Sequence, residues 1–218
     1  DLGTKFLRGH GMVTMSMAHA LKARTAVYAA SKLFNPGEDM SKWEFAEEVC
    51  EKAIAYVEGE GHTFYAPYES IFNENYNDEI IWDRHPHAPD ISNFGRAEWD
   101  RHLQPNSKRG WTTYCPAHKF VESYETADGK YIDDPTSGYQ LDQFWVNRDP
   151  RFYQSILYDG AWWKGEEYQS FVAERGSGMP NGRDTRYGVD GHNASLTGYN
   201  MRKFIDSTIA SADYQDTR

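Results

Sequence analysis

The chain has 218 residues, enough to bury a sizeable core, and its 33 acidic against 23 basic side chains leave a net charge of −10. The basic residues are dispersed among the acids, so the clustered cations that a phosphate backbone requires are missing and nucleic acid is excluded as a partner. Apolar runs are only a few residues long, far short of the about 20 that span a bilayer.

No export signal is visible behind Asp1, and the absence of an initiator Met is what a piece of a longer polypeptide would show. Cys50 and Cys115 form no CxxC pair and no disulfide framework. Aromatics are plentiful, with 7 Trp, 15 Tyr and 11 Phe. Rings must therefore supply much of the core, and a surplus is left to line a binding surface.

In chain order, Thr14 to Phe34 is free of Gly and Pro, and Ala20, Ala23, Val27, Ala30 and Phe34 recur at three-four spacing. This predicts an Ala-rich helix stopped by Asn35-Pro36-Gly37. Ser41 with Glu44 reads as a capping box. The second helix carries Trp43, Ala46, Cys50, Ala53 and Val57 and ends at Gly59 and Gly61. Such a hairpin cannot bury both faces alone and belongs in a stacked helical array.

Beyond Gly61 the helical period is lost. Glu79-Ile80-Ile81-Trp82 reads as a short buried strand or turn, and 83–109 as a long polar loop. A short helix is expected over 119–125, ending before the turn dipeptide Asp128-Gly129. Phe152 to Tyr158 alternates as a strand would, as does Tyr199 to Ile205. Between them the Gly-rich stretch 174–198 reads as an ordered loop or a flap.

Several segments together resemble the SusD/RagB family of nutrient-binding outer-membrane lipoproteins. The helix from Ala20 through Ser31 to Asn35 is similar to the family's tetratricopeptide-like helix. Asn77-Asp78-Glu79-Ile80-Ile81-Trp82, Phe120-Val121-Glu122-Ser123-Tyr124-Glu125 with Asp128-Gly129-Lys130, and Asn147-Arg148-Asp149-Pro150-Arg151-Phe152-Tyr153 follow in the family's order. Thr197-Gly198-Tyr199 with Arg202-Lys203-Phe204-Ile205-Asp206 closes the series.

The resemblance implies a mainly α fold: a tetratricopeptide-like helical hairpin, 1–61, packed against a loop-rich region with a few short strands, 62–218. It implies a central fragment, since family members are more than twice this length and begin with a lipidated Cys. It also implies non-catalytic capture of an oligosaccharide at the outward face of the outer membrane. The partner is then a TonB-dependent, SusC-like transporter, with no cofactor and with membrane attachment only through a lipid anchor outside this chain. A peptide-binding relative and a helical carbohydrate-active hydrolase or lyase are the alternatives.

The shared motifs identify a fold, so the ligand should meet residues outside them. Sugars stack C–H faces on rings, which singles out Trp162 and Trp163, then Trp99 and Trp111, then Tyr187. Adjacent strand residues point to opposite faces, so at most one of Trp162 and Trp163 can face a ligand. The run 147–152 reads as scaffold, its Arg and Asp tying loops together around Pro150. His85 and His87 with Asp83 and Asp90 lack a third ligand at a usual spacing and read as a solvated loop. No GxSxG, HExxH or P-loop motif occurs, although 33 acids leave a carboxylate pair open.

Overall fold

The computed structural model describes residues 11–73, 77–83 and 99–208. The chain forms two compact units, Asp1–His87 and Ala88–Arg218. Helices α1 (Met15–Ala30), α2 (Met40–Gly59) and the single turn α3 (Ser70–Asn73) belong to the first.

Thr14 caps α1, its hydroxyl accepting from the Met17 amide at 3.2 Å. The helix stops at Ala30, one turn short of the expected Phe34, because polar side chains take its last carbonyls. The Ser31 hydroxyl donates to the Tyr28 carbonyl at 2.6 Å, and the buried Asn35 amide donates to the Ala30 carbonyl at 3.4 Å and the Asp39 carbonyl at 3.0 Å. Asn35 also accepts from the Asp39 amide. Asp39 is thereby held as the N-cap of α2 in place of Ser41, its carboxylate accepting from the Ser41 amide at 3.0 Å. A carboxylate also meets the positive end of the helix dipole better than a hydroxyl does. Gly61, at φ 86°, lets the chain turn back so that the His62 amide reaches the Val57 carbonyl.

The two helices meet along Ala26, Ala30, Ala46 and Val49, with Ala23 beside them. Small side chains let the helix backbones approach closely and bury little area. Leu21, Val27, Tyr28, Phe34, Phe45 and Ile54 remain exposed, as expected for a hairpin that closes only one face. The 79–82 segment is a turn, not a buried strand: Ile80 N donates to Asn77 O, the Glu79 carboxylate accepts from the Tyr65 amide at 2.8 Å, and Trp82 is 48% exposed.

The second unit carries helices α4 (Trp99–Leu103), α5 (His118–Glu122) and α6 (Pro150–Ser155). Its strands are β1 (Ile156–Leu157), β2 (Trp162–Trp163), β3 (Glu166–Glu167) and β4 (Asn200–Met201). β1 pairs antiparallel with β4, Ile156 opposite Met201, and β2 pairs antiparallel with β3.

The expected strand over 152–158 is a helix for its first half. Asp149 caps that helix through the Arg151 amide at 2.7 Å, and Pro150, with φ already set, occupies its first turn. The alternation of rings and polar residues there reflects burial in an aromatic cluster, not a β period. Phe152, Ile156, Val121 and Tyr199 form that cluster with Tyr124, Phe144, Tyr153 and Tyr158 against it. A second cluster joins Leu103, Leu157, Ala161, Trp163, Tyr168 and Ile205, and Tyr158 packs on both.

Arg148 sits between the rings, 2% exposed. Its guanidinium donates to the carbonyls of Phe144 (2.7 Å), Val121 (2.9 Å) and Tyr124 (2.8 Å), and its Cζ lies 4.8 Å from the Phe152 ring centroid. The motif 147–152 is thus built into the scaffold.

Gly110 closes the turn after α4, its amide donating to the Pro105 carbonyl. A Cβ there would lie 2.1 Å from the Gln104 carbonyl oxygen. Gly110→Ala should cost about 1–3 kcal/mol of overpacking, read as a lower denaturation midpoint.

Candidate functional site

The hairpin β2–β3 turns through two residues, Lys164 (φ 47°) and Gly165 (φ 86°), the pair of positive φ values that matches the twist of the strands. Trp163 stands opposite Glu166, and Trp162 opposite Glu167. The alternation expected of a strand holds. Trp163 is 3% exposed and Trp162 is 66% exposed. The Trp163 indole donates to Gln104 Oε1 at 2.7 Å, and Arg202 lies over its ring at 5.4 Å.

An ion lattice braces the turn end of this hairpin. Lys108 Nζ bonds the Glu166 carboxylate and, at 3.2 Å, the Lys164 carbonyl. Arg183 Nη1 reaches both oxygens of Glu166 (3.2 and 3.1 Å), while its Nε bonds Asp190. The hydrogen bond from Lys108 is the largest influence holding the Glu166 carboxyl below the usual glutamate range. Asp184 accepts from the Ser107 amide at 3.1 Å, but burial raises its carboxyl above the ordinary aspartate range.

These contacts tie the Gly-rich stretch to the hairpin and to the turn after α4. The Gly182 amide donates to Phe171 O and the Asp184 amide to Gln169 O, both at 2.9 Å, so 182–190 is an ordered loop. Tyr187 projects from it, 66% exposed.

Trp111, 45% exposed, lies beside α4, its amide donating to Arg101 O at 2.6 Å. Arg101 covers one face of its ring at 5.4 Å, and His102 meets its edge with centroids 5.0 Å apart. Trp99 begins α4, but its side chain lies outside the described residues, as do His85, His87 and Asp90. Among the described residues no group of three or more His, Cys, Asp or Glu is placed to hold a metal.

Of the rings singled out in the sequence, Trp162 and Tyr187 are equally bare, and Trp111 is already overlaid by a cation. Trp163 faces inward. Sequence reasoning missed Gln104, Lys108, Glu166, Arg183 and Asp190, which are separated along the chain. The Lys164-Gly165 pair was the available signal for the hairpin that gathers them.

The SusD family model matches residues 58–218. The chain belongs to the SusD family. Among solved structures, a SusD-like carbohydrate binding protein from Bacteroides fragilis is similar to it at TM-score 0.64 and 23% identity, over 94% of this chain and 36% of that one. A selenomethionine protein designated BT4246 is similar at TM-score 0.54 and 20% identity, over 89% of this chain and 46% of that one. The chain thus spans between a third and a half of the length of these relatives, and the likeness is one of fold. No curated protein matches the sequence. Mainly helical, with a few two-residue strands, the described residues have the SusD-like fold, and no helix among them is long and apolar enough to cross a membrane.

The lattice at Glu166 gives a pH prediction for this SusD family chain. A carboxyl whose folded value is depressed stabilises above its unfolded value, and that contribution is lost as pH falls through the folded one. Glu166→Gln should therefore be less stable than wild type at pH 7. The gap should shrink as pH falls below the ordinary glutamate value of 4.5. Denaturant midpoints for both proteins between pH 3 and 7 check it. Asp184 and Asp159 titrate in both proteins and drop out of the difference to first order.

Proposed function

We propose that this chain is part of a non-catalytic binding protein that captures an oligosaccharide nutrient at the outward face of the outer membrane and delivers it to a TonB-dependent transporter. The observation that carries the reading is Trp162, an indole 66% exposed on a hairpin fixed at its turn end by the Lys108–Glu166–Arg183–Asp190 lattice. An exposed ring of that size gives up apolar contact with the protein, and a rigid mount lets it receive a sugar face at little conformational cost. Membership of the SusD family and the carbohydrate-binding description of the Bacteroides fragilis relative support the choice of a glycan.

Tyr187, on the loop that shares Arg183 and Asp190 with the hairpin, is the second contact in this reading, and Trp111 with Trp99 the third. Trp163 contributes by holding the hairpin down.

Isothermal titration of the full-length protein against a panel of neutral, amino and acidic oligosaccharides, with a peptide mixture alongside, tests the proposal. Binding of at least one oligosaccharide, weakened by Trp162→Ala, is the expected result. Binding of peptides alone would replace the glycan reading with peptide capture, and release of reducing ends would replace it with catalysis.

A further inference from the structure

The hairpin pairs Trp162 with Glu167 directly across the two strands. Residues so paired present their side chains on the same face, and here that face is the solvent side, since both are exposed. The Tyr168 amide donates to the Ala161 carbonyl at 2.9 Å, so by alternation the pair one step nearer the turn is non-hydrogen-bonded. Side chains approach most closely at such positions, with Cβ atoms about 5 Å apart.

Most of the other charges around the hairpin are committed. Glu166 is held by Lys108 and Arg183, Asp190 by Arg183, and Arg202 lies over the buried Trp163 ring. Lys164, in the turn, has an interaction of its own. Among the described residues no donor bonds the Glu167 carboxylate. A second carboxylate, Asp159, lies close enough for the two to feel each other's charge. Asp159 turns Oδ1 to the backbone amides of Ser170 (2.7 Å) and Phe171 (3.0 Å) and is half-buried, so Glu167 is the more exposed of the two carboxylates.

We infer that Trp162 and Glu167 form one sugar subsite that accepts neutral or amino sugars and rejects uronic acids. The inference rests on the glycan-capture reading and names its ligand class. The indole stacks on the C–H face, and the carboxylate accepts from hydroxyls, or an ammonium group, at the ring edge. A uronate carboxylate would meet the Glu167 and Asp159 charges at close range. At an exposed site this repulsion amounts to about fivefold in affinity and fades as salt screens it.

The test uses the full-length protein and hexamers of α-glucan, β-glucan, mannan and galactan, each compared with its own C6-carboxylate form at low salt. The expected result is that a hexamer binds about fivefold more tightly than its carboxylate form, and that Glu167→Gln brings the two within about twofold. Trp162→Ala should weaken both forms together. Equal or tighter binding of the carboxylate form, or an unchanged ratio in Glu167→Gln, overturns the inference and leaves glycan capture standing. If none of the hexamers or their carboxylates binds, the glycan reading fails and the inference fails with it.

Discussion

Replacing Arg148 with methionine is expected to cost about 3–5 kcal/mol, the largest loss of any single substitution on the scaffold motif. The guanidinium answers three carbonyls, those of Phe144, Val121 and Tyr124, from one fork. Methionine fills a similar volume but leaves one buried and two half-buried acceptors without their donor, at about 1–3 kcal/mol for each one that cannot relax to water. The ring contact at 4.8 Å from Phe152 is lost as well. The arginine itself sits uneasily, since burial pushes its guanidinium below the usual arginine range. Its hydrogen bonds must therefore outweigh a real desolvation cost. Lysine keeps the charge but not the fork, and Arg148→Lys should recover less than half of the loss in denaturant midpoint.

That single residue also marks how far the sequence could be read. The run 147–152 was legible as scaffold because Arg and Asp beside a Pro-fixed turn supply the donors and carboxylate that tie loops together. What it braces was not, because the carbonyls it reaches belong to residues up to 27 positions away. Helix positions followed from period and end signals, and the misplaced ends have a local cause. Ser31 and Asn35 compete for the carbonyls of Tyr28 and Ala30, a contest that composition does not rank.

The strand expected over 152–158 failed for a different reason. The rings there stand at 152, 153 and 158, a spacing that fits neither period cleanly, and the Asp149 cap with Pro150 decided for helix. At the candidate site the Trp162–Trp163 alternation was legible from β geometry alone. The ion lattice was not, since Lys108, Glu166, Arg183 and Asp190 meet only after the chain has folded. Neither was the pairing of Trp162 with Glu167, which depends on the two-residue turn at Lys164-Gly165.

The same alternation makes the two adjacent tryptophans a controlled pair. Trp163→Ala should cost about 3–5 kcal/mol, since it opens a cavity among Leu103, Leu157, Ala161, Tyr168 and Ile205. It also removes the donor from Gln104 Oε1, which is wholly buried with its Nε2 already lacking a partner among the described residues. Trp162→Ala removes a ring that is mostly in water and should change the denaturant midpoint by no more than about 0.5 kcal/mol. Ligand affinity should move the other way. Trp162→Ala should weaken glycan binding about tenfold, the scale of a well-stacked ring. Trp163→Phe, which keeps most of the packing while giving up the hydrogen bond, should leave affinity nearly intact. Stability lost only at 163 and affinity lost only at 162 would assign one ring to the core and its neighbour to the ligand. Loss of affinity in Trp163→Phe with normal stability would show instead that the inner indole takes part in binding, which its 3% exposure argues against.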